Sequence, residues 1–432
     1  MIEHVLRAAG AVGSDPPIVV LPPDDPMLER QLQGRAVLAV QSQPRGTGDA
    51  VLAARTALGD CATVLVLPAD MPLISAATVT SLLATHRSSG AGATVLTAVL
   101  QDPASYGRIE RDAAGSLIRI VEAADDSGRT GPVEVNCGVY AFSLPELWEV
   151  LSRVPTANSQ QELYLSWVPQ SHRGEVALVP APSGDEVLQV NDRVQLAVAE
   201  AAMRQRTLRR LMLSGVTVVD PGSTWVDCDV QVGMDTRIHP GTVLRGATRV
   251  GARCELGPLA ELDSCEIGAG CRIGRSVLRG CKLDDEVEVG PFNRVRPGTQ
   301  LGTRSHLGTF TEVVRSRIGV GSQVPHLSYV GDAELGDDVN VGAGTITANF
   351  DGRTKHRTVV EDGARLGSDT ILVAPIRVGR GAYTGAGSVL TTDVPDGALG
   401  VARSPQRNLE GWSARHRGGT RPVADVAREE EG

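Results

Sequence analysis

The chain carries two hydrophobic rhythms, and one gives way to the other near Asn191. Over residues 1–190, short aliphatic runs ("PPIVVL", "AVLAV", "TVLVLPAD", "ATVLTAVL", "VNCGVYAF", "EVALVPA") alternate with helical stretches such as "TGDAVLAARTAL" and "AATVTSLLATHR". Continuous apolar strands alternating with helices predict an α/β domain whose mostly parallel sheet is covered on both faces. The chain opens on "MIEHVLRAAGAVG", where Ile2, Val5, Leu6 and Ala9 recur at helical spacing, so a helix comes first. From Asn191 onward, Val194, Val198, Ala201, Leu208 and Leu211 predict one long linker helix over 191–214, capped by Asn191 or Asp192 and ended by Gly215.

Beyond Gly215 an aliphatic residue recurs at every sixth position, often followed by glycine: Val250-Gly251, Leu256-Gly257 and Leu262; Leu301-Gly302, Leu307-Gly308 and Val313; Leu366-Gly367, Leu372 and Val378-Gly379. Neither a helix nor an ordinary strand has a six-residue period, and this one runs from Val232 to Leu390. It predicts a parallel β-helix over 215–412, with each aliphatic residue pointing into a narrow prism and each glycine easing a corner. The polar segment 413–432 is expected to be a disordered tail.

Composition agrees with this division. A chain of 432 residues exceeds one ordinary core, and 3% aromatic residues beside 49 glycines suit small prism layers rather than bulky packing. The formal net charge of −9 repels nucleic acid, so any phosphate ligand must be met by local cations. No stretch reads as a membrane span or an export signal, which places the chain in the cytoplasm. Its seven cysteines form no CxxC pair and match no zinc spacing, so free thiols are expected.

Candidate chemistry is spread over both regions. "QSQPRGTGDAVL" sets Gln41, Gln43, Gly46, Thr47 and Gly48 between a strand and a helix, where amides and hydroxyls can meet a nucleobase or phosphate, or simply make a βα turn. "LVLPADMPLI" ends a strand at Asp70, a position that suits either a Mg²⁺ ligand or a helix cap. Gly107, Glu122, Asn136 and Asn191 follow in "SYGRI", "RIVEA", "EVNCGVY" and "LQVNDRVQL", each readable alone as a turn or capping residue. In the repeats, His326 is the candidate general base, because imidazole can take a proton from an amine near neutral pH. Arg296, Tyr329 and Lys355 can gather around a sugar phosphate, or stand as solvated surface groups.

The succession Q-x-x-x-x-GTG, D-x-PLI, YGRI, VE, VN-x-G and V-N-x-R-x-QL, then a helix and hexapeptide repeats, resembles one bacterial family from residue 1 to about Trp412. That family is the bifunctional N-acetylglucosamine-1-phosphate uridyltransferase and glucosamine-1-phosphate acetyltransferase. The resemblance implies an α/β nucleotidyltransferase domain followed by a left-handed parallel β-helix. It implies that Gln41, Gly46, Thr47, Gly107, Glu122 and Asn136 contact UDP-N-acetylglucosamine, while Asp70 and Asn191 hold Mg²⁺. It likewise implies that Arg296, Tyr329, Asn340, Asn349, Phe350 and Lys355 bind glucosamine 1-phosphate, with Ala343, Ser368, Ala386 and Arg403 along the acetyl-CoA path. A homotrimer with each acetyltransferase site at a subunit interface goes with it, and "EGW" at 410–412 resembles the family's closing arm.

Several positions depart from the family's pattern. Family members begin with a strand running into L-x-x-G-x-G-T-R-M and a downstream P-K, whereas Met1 falls just after that segment. The expectation is a start set late, because without that strand the sheet would lose an interior member and the nucleotide its phosphate-binding cations. Thr309 stands for an Asn, Val314 for a substrate-phosphate Lys, and Phe350 for a Tyr; Pro68-Ala69 precede Asp70 in place of a Gly, and Trp167 replaces an acidic residue. Arg315 is adjacent to Val314, but one step along a strand points it to the other face, so weaker sugar-phosphate binding or compensation from elsewhere is expected. The leading reading is acetyl transfer from acetyl-CoA to glucosamine 1-phosphate and, in a complete domain, uridylyl transfer from UTP to the N-acetylglucosamine 1-phosphate so formed. The alternatives are a monofunctional acetyltransferase with an inactive first domain, a sugar-nucleotide pyrophosphorylase with a regulatory β-helix, and a non-enzymatic scaffold.

Overall fold

A computed structural model of the chain describes residues 1–13, 16–103, 105–123, 126, 131–153, 162–172 and 174–416. It divides into two compact units, Met1–Arg206 and Thr207–Gly432. The first unit runs α1 (Ile2–Gly10), β1 (Ile18–Leu21), α2 (Pro26–Leu32), β2 (Val37–Val40), α3 (Thr47–Ala53), α4 (Arg55–Leu58), β3 (Thr63–Val66) and α5 (Ala76–Ser89). It continues through β4 (Ala93–Leu100), β5 (Gly107–Arg111), β6 (Leu117–Val121), β7 (Val133–Ser143), α6 (Leu144–Leu151), α7 (Trp167–Ser171) and β8 (Val176–Pro180). The cap chemistry explains α5: the Ser75 hydroxyl accepts from the Thr78 amide, and Gly90 closes the helix in the left-handed region at φ 66°.

The sheet is mixed rather than mostly parallel. β4 and β8 run parallel, but β7 lies antiparallel to β3, β4 and β5, since the β5–β6 hairpin returns the chain in the opposite sense. β1 and β2 pair in parallel with each other only, and among the described residues no strand joins them to the larger sheet. α1 buries Val5 and Ala8, and its Ile2 and Leu6 pack with Val19, Leu21 and Leu32 beneath it.

The long helix α8 spans Arg193–Leu213. Its start is a reciprocal box: Asp192 accepts from the Gln195 amide at 2.7 Å, and the Gln195 side chain accepts from the Asn191 amide at 2.6 Å. The unit boundary falls inside this helix, because Ala199 packs with Leu73 and Val190 while Leu208 and Leu211 belong to the next core.

The second unit is a left-handed parallel β-helix whose walls are sheets of ten, nine and eleven parallel strands. The six-residue register is visible as burial: Ile238, Leu256, Leu262, Leu307, Val313, Ile318, Val324, Leu372 and Val378 are all inaccessible to solvent. Among the aliphatic positions of the repeat, Val232, in the first coil, is only partly buried. Small residues line the corners, where Thr236, Ser322 and Ser388 bond to backbone of the neighbouring coil. Outward positions form ladders such as Arg237, Glu255, Arg272, Glu288, His306, Gln323 and Asn340, one residue per coil. At the end of the described chain, Trp412–His416 form a short helix that runs from the last residue of the expected β-helix region into the segment 413–432 expected to be disordered, and 417–432 lie outside the described residues.

Candidate active sites

One coil of the β-helix is much longer than its neighbours. Gln323 pairs with Asn340, seventeen residues on, whereas Asn340 pairs with Arg365, twenty-five residues on. The added length lies in 349–357, between the strands Ile346–Ala348 and Thr358–Val360. Phe350 bridges Lys355 in antiparallel fashion and the His356 amide donates to the Asn349 carbonyl at 2.8 Å, making a small hairpin. Asp351 clasps it, accepting from the Arg353 amide (2.8 Å), the Thr354 amide (2.7 Å) and His356 Nε2 (2.7 Å). These bonds, His356 first, hold the Asp351 carboxyl far below the ordinary carboxylate range. The hairpin presents Lys355 and Phe350 to solvent.

Tyr329 and Asn349 meet beside the base of this hairpin. A Cβ added to Gly331 would lie 2.6 Å from the Tyr329 hydroxyl and 2.8 Å from Asn349 Nδ2, so only glycine leaves room for both. Glu312 is the cross-strand neighbour of Tyr329, and Arg296 reaches Glu312 at 3.3 Å. His326 ends the strand Gln323–His326 with its side chain exposed, next to Thr309 in register, and its carbonyl accepts from the Ser328 hydroxyl at 2.7 Å. Asn340 stands on the same wall one coil on, half-buried. Ala343, Ser368 and Ala386 occupy successive coils at one corner: the Asp369 amide donates to Ala343 O, and the Gly387 amide to Ser368 O. Ala402 bonds to Ser388 Oγ, which brings Arg403 to the end of that column.

The expectation for Arg315 is corrected in part. The strand stops at Val314, which is buried, and Arg315 stands at a turn with φ 46° instead of on the strand's opposite face. There its guanidinium grips Asp332 with two bonds of 2.7 Å. The sequence reasoning passed over Asp332, Gly331 and Asp351. The "YVGD" and "FDG" turns were the available signals, though neither says which side chain the turn faces.

In the first unit the candidates converge through irregular segments. Gly46 and Gly48 allow residues 162–165 to lie against their loop: a Cβ on Gly46 would sit 2.7 Å from Leu163 O, and one on Gly48 2.9 Å from the same atom. Thr47 Oγ1 accepts from the Leu165 amide at 3.0 Å, and the next residue, Ser166, donates to Glu122. Gly107 pairs with Asn136 across the sheet, and its face adjoins Glu122. Asn136 Nδ2 donates to the Tyr140 hydroxyl at 2.7 Å, while Gln41 Nε2 donates to Asp49 at 2.8 Å and to Gly46 O. The Val190 amide donates to Asp70 O at 3.0 Å and so sets Asn191 near Asp70. Burial raises the Asp70 carboxyl above the ordinary carboxylate value. Asp49, Tyr106 and Ser166 were missed in the sequence; Tyr106, whose hydroxyl accepts from the Gln189 amide, joins the Gly107 turn to the segment leading to Asn191.

Residues 1–132 match the MobA-like NTP transferase domain. Over almost its full length the chain is similar to proteins named bifunctional protein GlmU. It is 44% identical over 441 residues to that of Mycobacterium tuberculosis strain ATCC 25177 / H37Ra, covering 99% of this chain and 89% of the relative. The chain belongs to the bifunctional GlmU family. The Mycolicibacterium smegmatis member is 45% identical over 442 residues (99% and 91% covered), and the Brevibacillus brevis member 44% over 413 residues (94% and 90%). The activities implied by the earlier resemblance, acetyl transfer to glucosamine 1-phosphate and uridylyl transfer from UTP, are those of this GlmU family, with sugar phosphate, UTP and acetyl-CoA as substrates. Among the described residues no helix is long and apolar enough to cross a membrane.

Proposed function

We propose that acetyl transfer takes place at the broken coil, with His326 as general base. The observation that carries this reading is the gathering of Tyr329, Asn349 and Lys355 about one hairpin that interrupts the regular coils, with the exposed imidazole of His326 three residues before Tyr329. Lys355 and Arg296 meet the phosphate of glucosamine 1-phosphate; Tyr329, Asn340, Asn349 and Phe350 hold the sugar ring. Ala343, Ser368 and Ala386 form a column of small residues along which the pantetheine arm of acetyl-CoA lies, with Arg403 toward its phosphates. His326 takes a proton from the acceptor amine as its nitrogen bonds to the thioester carbonyl carbon. The C–S bond then breaks, and the thiolate leaves with a proton as free CoA.

The first unit carries uridylyl transfer. Gln41, Gly46, Thr47, Gly107, Glu122 and Asn136 line the nucleotide-sugar site, and the sugar phosphate attacks the α-phosphorus of UTP with pyrophosphate leaving. Asp70 and Asn191 fit Mg²⁺: a half-buried carboxylate and an amide oxygen are hard donors, and this ion retains water and substrate phosphate for its other positions. When bound, Mg²⁺ would neutralise charge developing on the phosphates. The protein's own part is to hold Asp70 beside the segment 187–191 and to orient the base through Gln41.

The working form is a homotrimer in the cytoplasm. A row of exposed apolar residues at one corner, Leu259, Phe292, Phe310 and Leu327, supports the assembly; the two phenylalanine rings stack at 5.1 Å and the row passes His326. The seven unpaired thiols suit a reducing compartment. The test is CoA thiol release from acetyl-CoA with glucosamine 1-phosphate, in parallel with pyrophosphate release from UTP and N-acetylglucosamine 1-phosphate. Thiol release that requires the amino sugar supports the reading; none, or release unchanged in His326→Ala, rejects it.

A further inference from the structure

Asp332 lies at the centre of the candidate acceptor site, though no substrate role falls to it in the reading above. It occupies a left-handed turn position (φ 49°) one coil above Arg315 (φ 46°), so the two side chains stack at the same corner. Arg315 Nε donates to Asp332 Oδ1 and Nη2 to Oδ2, both at 2.7 Å, and Asn349 Nδ2 donates to Oδ2 at 2.5 Å. Arg315 first, then Asn349 and the charge of Lys355, hold the carboxyl below its usual range. Two consequences follow from the donor inventory. An ionised carboxylate only accepts, so the NH₂ face of Asn349 is committed to Asp332 and its carbonyl oxygen is left for another partner. The guanidinium fork also cancels a negative charge that would otherwise face a phosphate ligand.

We propose that the Arg315–Asp332 pair is a positioning device for the acceptor. It fixes the Asn349 amide so that its oxygen accepts from a hydroxyl or amino group of the hexosamine 1-phosphate, and it keeps the Asp332 charge from repelling the sugar's phosphate. The inference rests on the reading of this site as the acceptor site. It also separates Arg315 from direct phosphate binding, because the fork is already filled by Asp332.

Steady-state thiol release by the full chain tests it, with glucosamine 1-phosphate and acetyl-CoA varied in turn. Asp332→Asn, which frees the amide to turn, raises KM for the amino sugar about tenfold, with KM for acetyl-CoA and the thermal midpoint unchanged. Arg315→Met, which bares the carboxylate, raises the same KM, and the double variant Arg315→Met/Asp332→Asn recovers part of the loss because the repelling charge is gone. A direct phosphate contact by Arg315 would leave the double variant no better than Arg315→Met. That result overturns the proposal, as does an acceptor KM within twofold of the unaltered chain in Asp332→Asn, or a fall in kcat with KM unchanged. An unaltered chain that releases no thiol with glucosamine 1-phosphate rejects the site itself and the proposal with it; normal activity with unaffected variants rejects the proposal alone.

Discussion

The two units place their candidate residues by opposite means. In the first, Thr47, Asp70, Glu122, Asn136 and Asn191 come from separate elements, and irregular segments tie some of them in place, Leu165 to Thr47 and Val190 to Asp70. In the second, the candidate positions come from neighbouring coils on two walls, and the proposed acetyl transfer falls where the coils are interrupted at 349–357. A contact in the first unit is therefore a long-range commitment, while a substitution in the second acts within a coil or two. On the proposed reading, regular architecture carries a site as one insertion into a repeat that is otherwise continuous.

The sharpest break to attempt is His326→Ala. It should lower CoA thiol release by ~10²–10⁴-fold, the usual contribution of a general base, without moving the thermal midpoint, since the side chain is exposed and its strand is held by backbone. Asp70→Ala should lower pyrophosphate release from UTP by roughly 100-fold while leaving thiol release unchanged. Loss of both activities would erase the separation between the units. Gly48→Val probes long-range commitment: its added atoms meet Leu163 at 2.9 Å, and overpacking there should destabilise the first unit by about 1–3 kcal/mol. Calorimetry should show the first transition lowered and the β-helix transition unmoved.

Smaller effects test the insertion. Asp351→Ala should raise the acceptor KM by roughly three- to tenfold, as the hairpin loses its clasp while the coils beneath it stay intact. Because the Asp351 carboxyl is held low, the clasp is complete above the ordinary carboxylate value and fails only as pH falls through the lowered one; circular dichroism of the hairpin should follow that order. The smallest effect belongs to the plain wall. Glu288→Gln removes a half-exposed partner of Arg272 and should change stability by no more than about 0.5 kcal/mol, and kinetics not at all.

The same contrast governs how much could be read before the fold was known. A six-residue period is local, so Leu256, Leu307 and Val313 declare their inward direction within one repeat, and all are fully buried or nearly so. Likewise Asp192 and Gln195 announce the start of α8 from four neighbouring residues. The antiparallel course of β7 was hidden, because an aliphatic run such as "VNCGVYAF" has no direction written in it. Asp332 escaped for a related reason: its partner Arg315 is seventeen residues away, a separation that matters only once the coil length is known. Gly48 and Leu163 lie farther apart still, and no pattern along the chain links them.

The central claim is that the acceptor binds where the repeat is interrupted, and a crystal structure of the chain with glucosamine 1-phosphate tests it most directly. The account predicts the phosphate beside Lys355 and Arg296, with the amino group on the side of His326 and a hydroxyl or the amine bonded to the Asn349 carbonyl oxygen. A sugar phosphate seated on the plain wall near Arg272 and His306, with the 349–357 hairpin untouched, would contradict it.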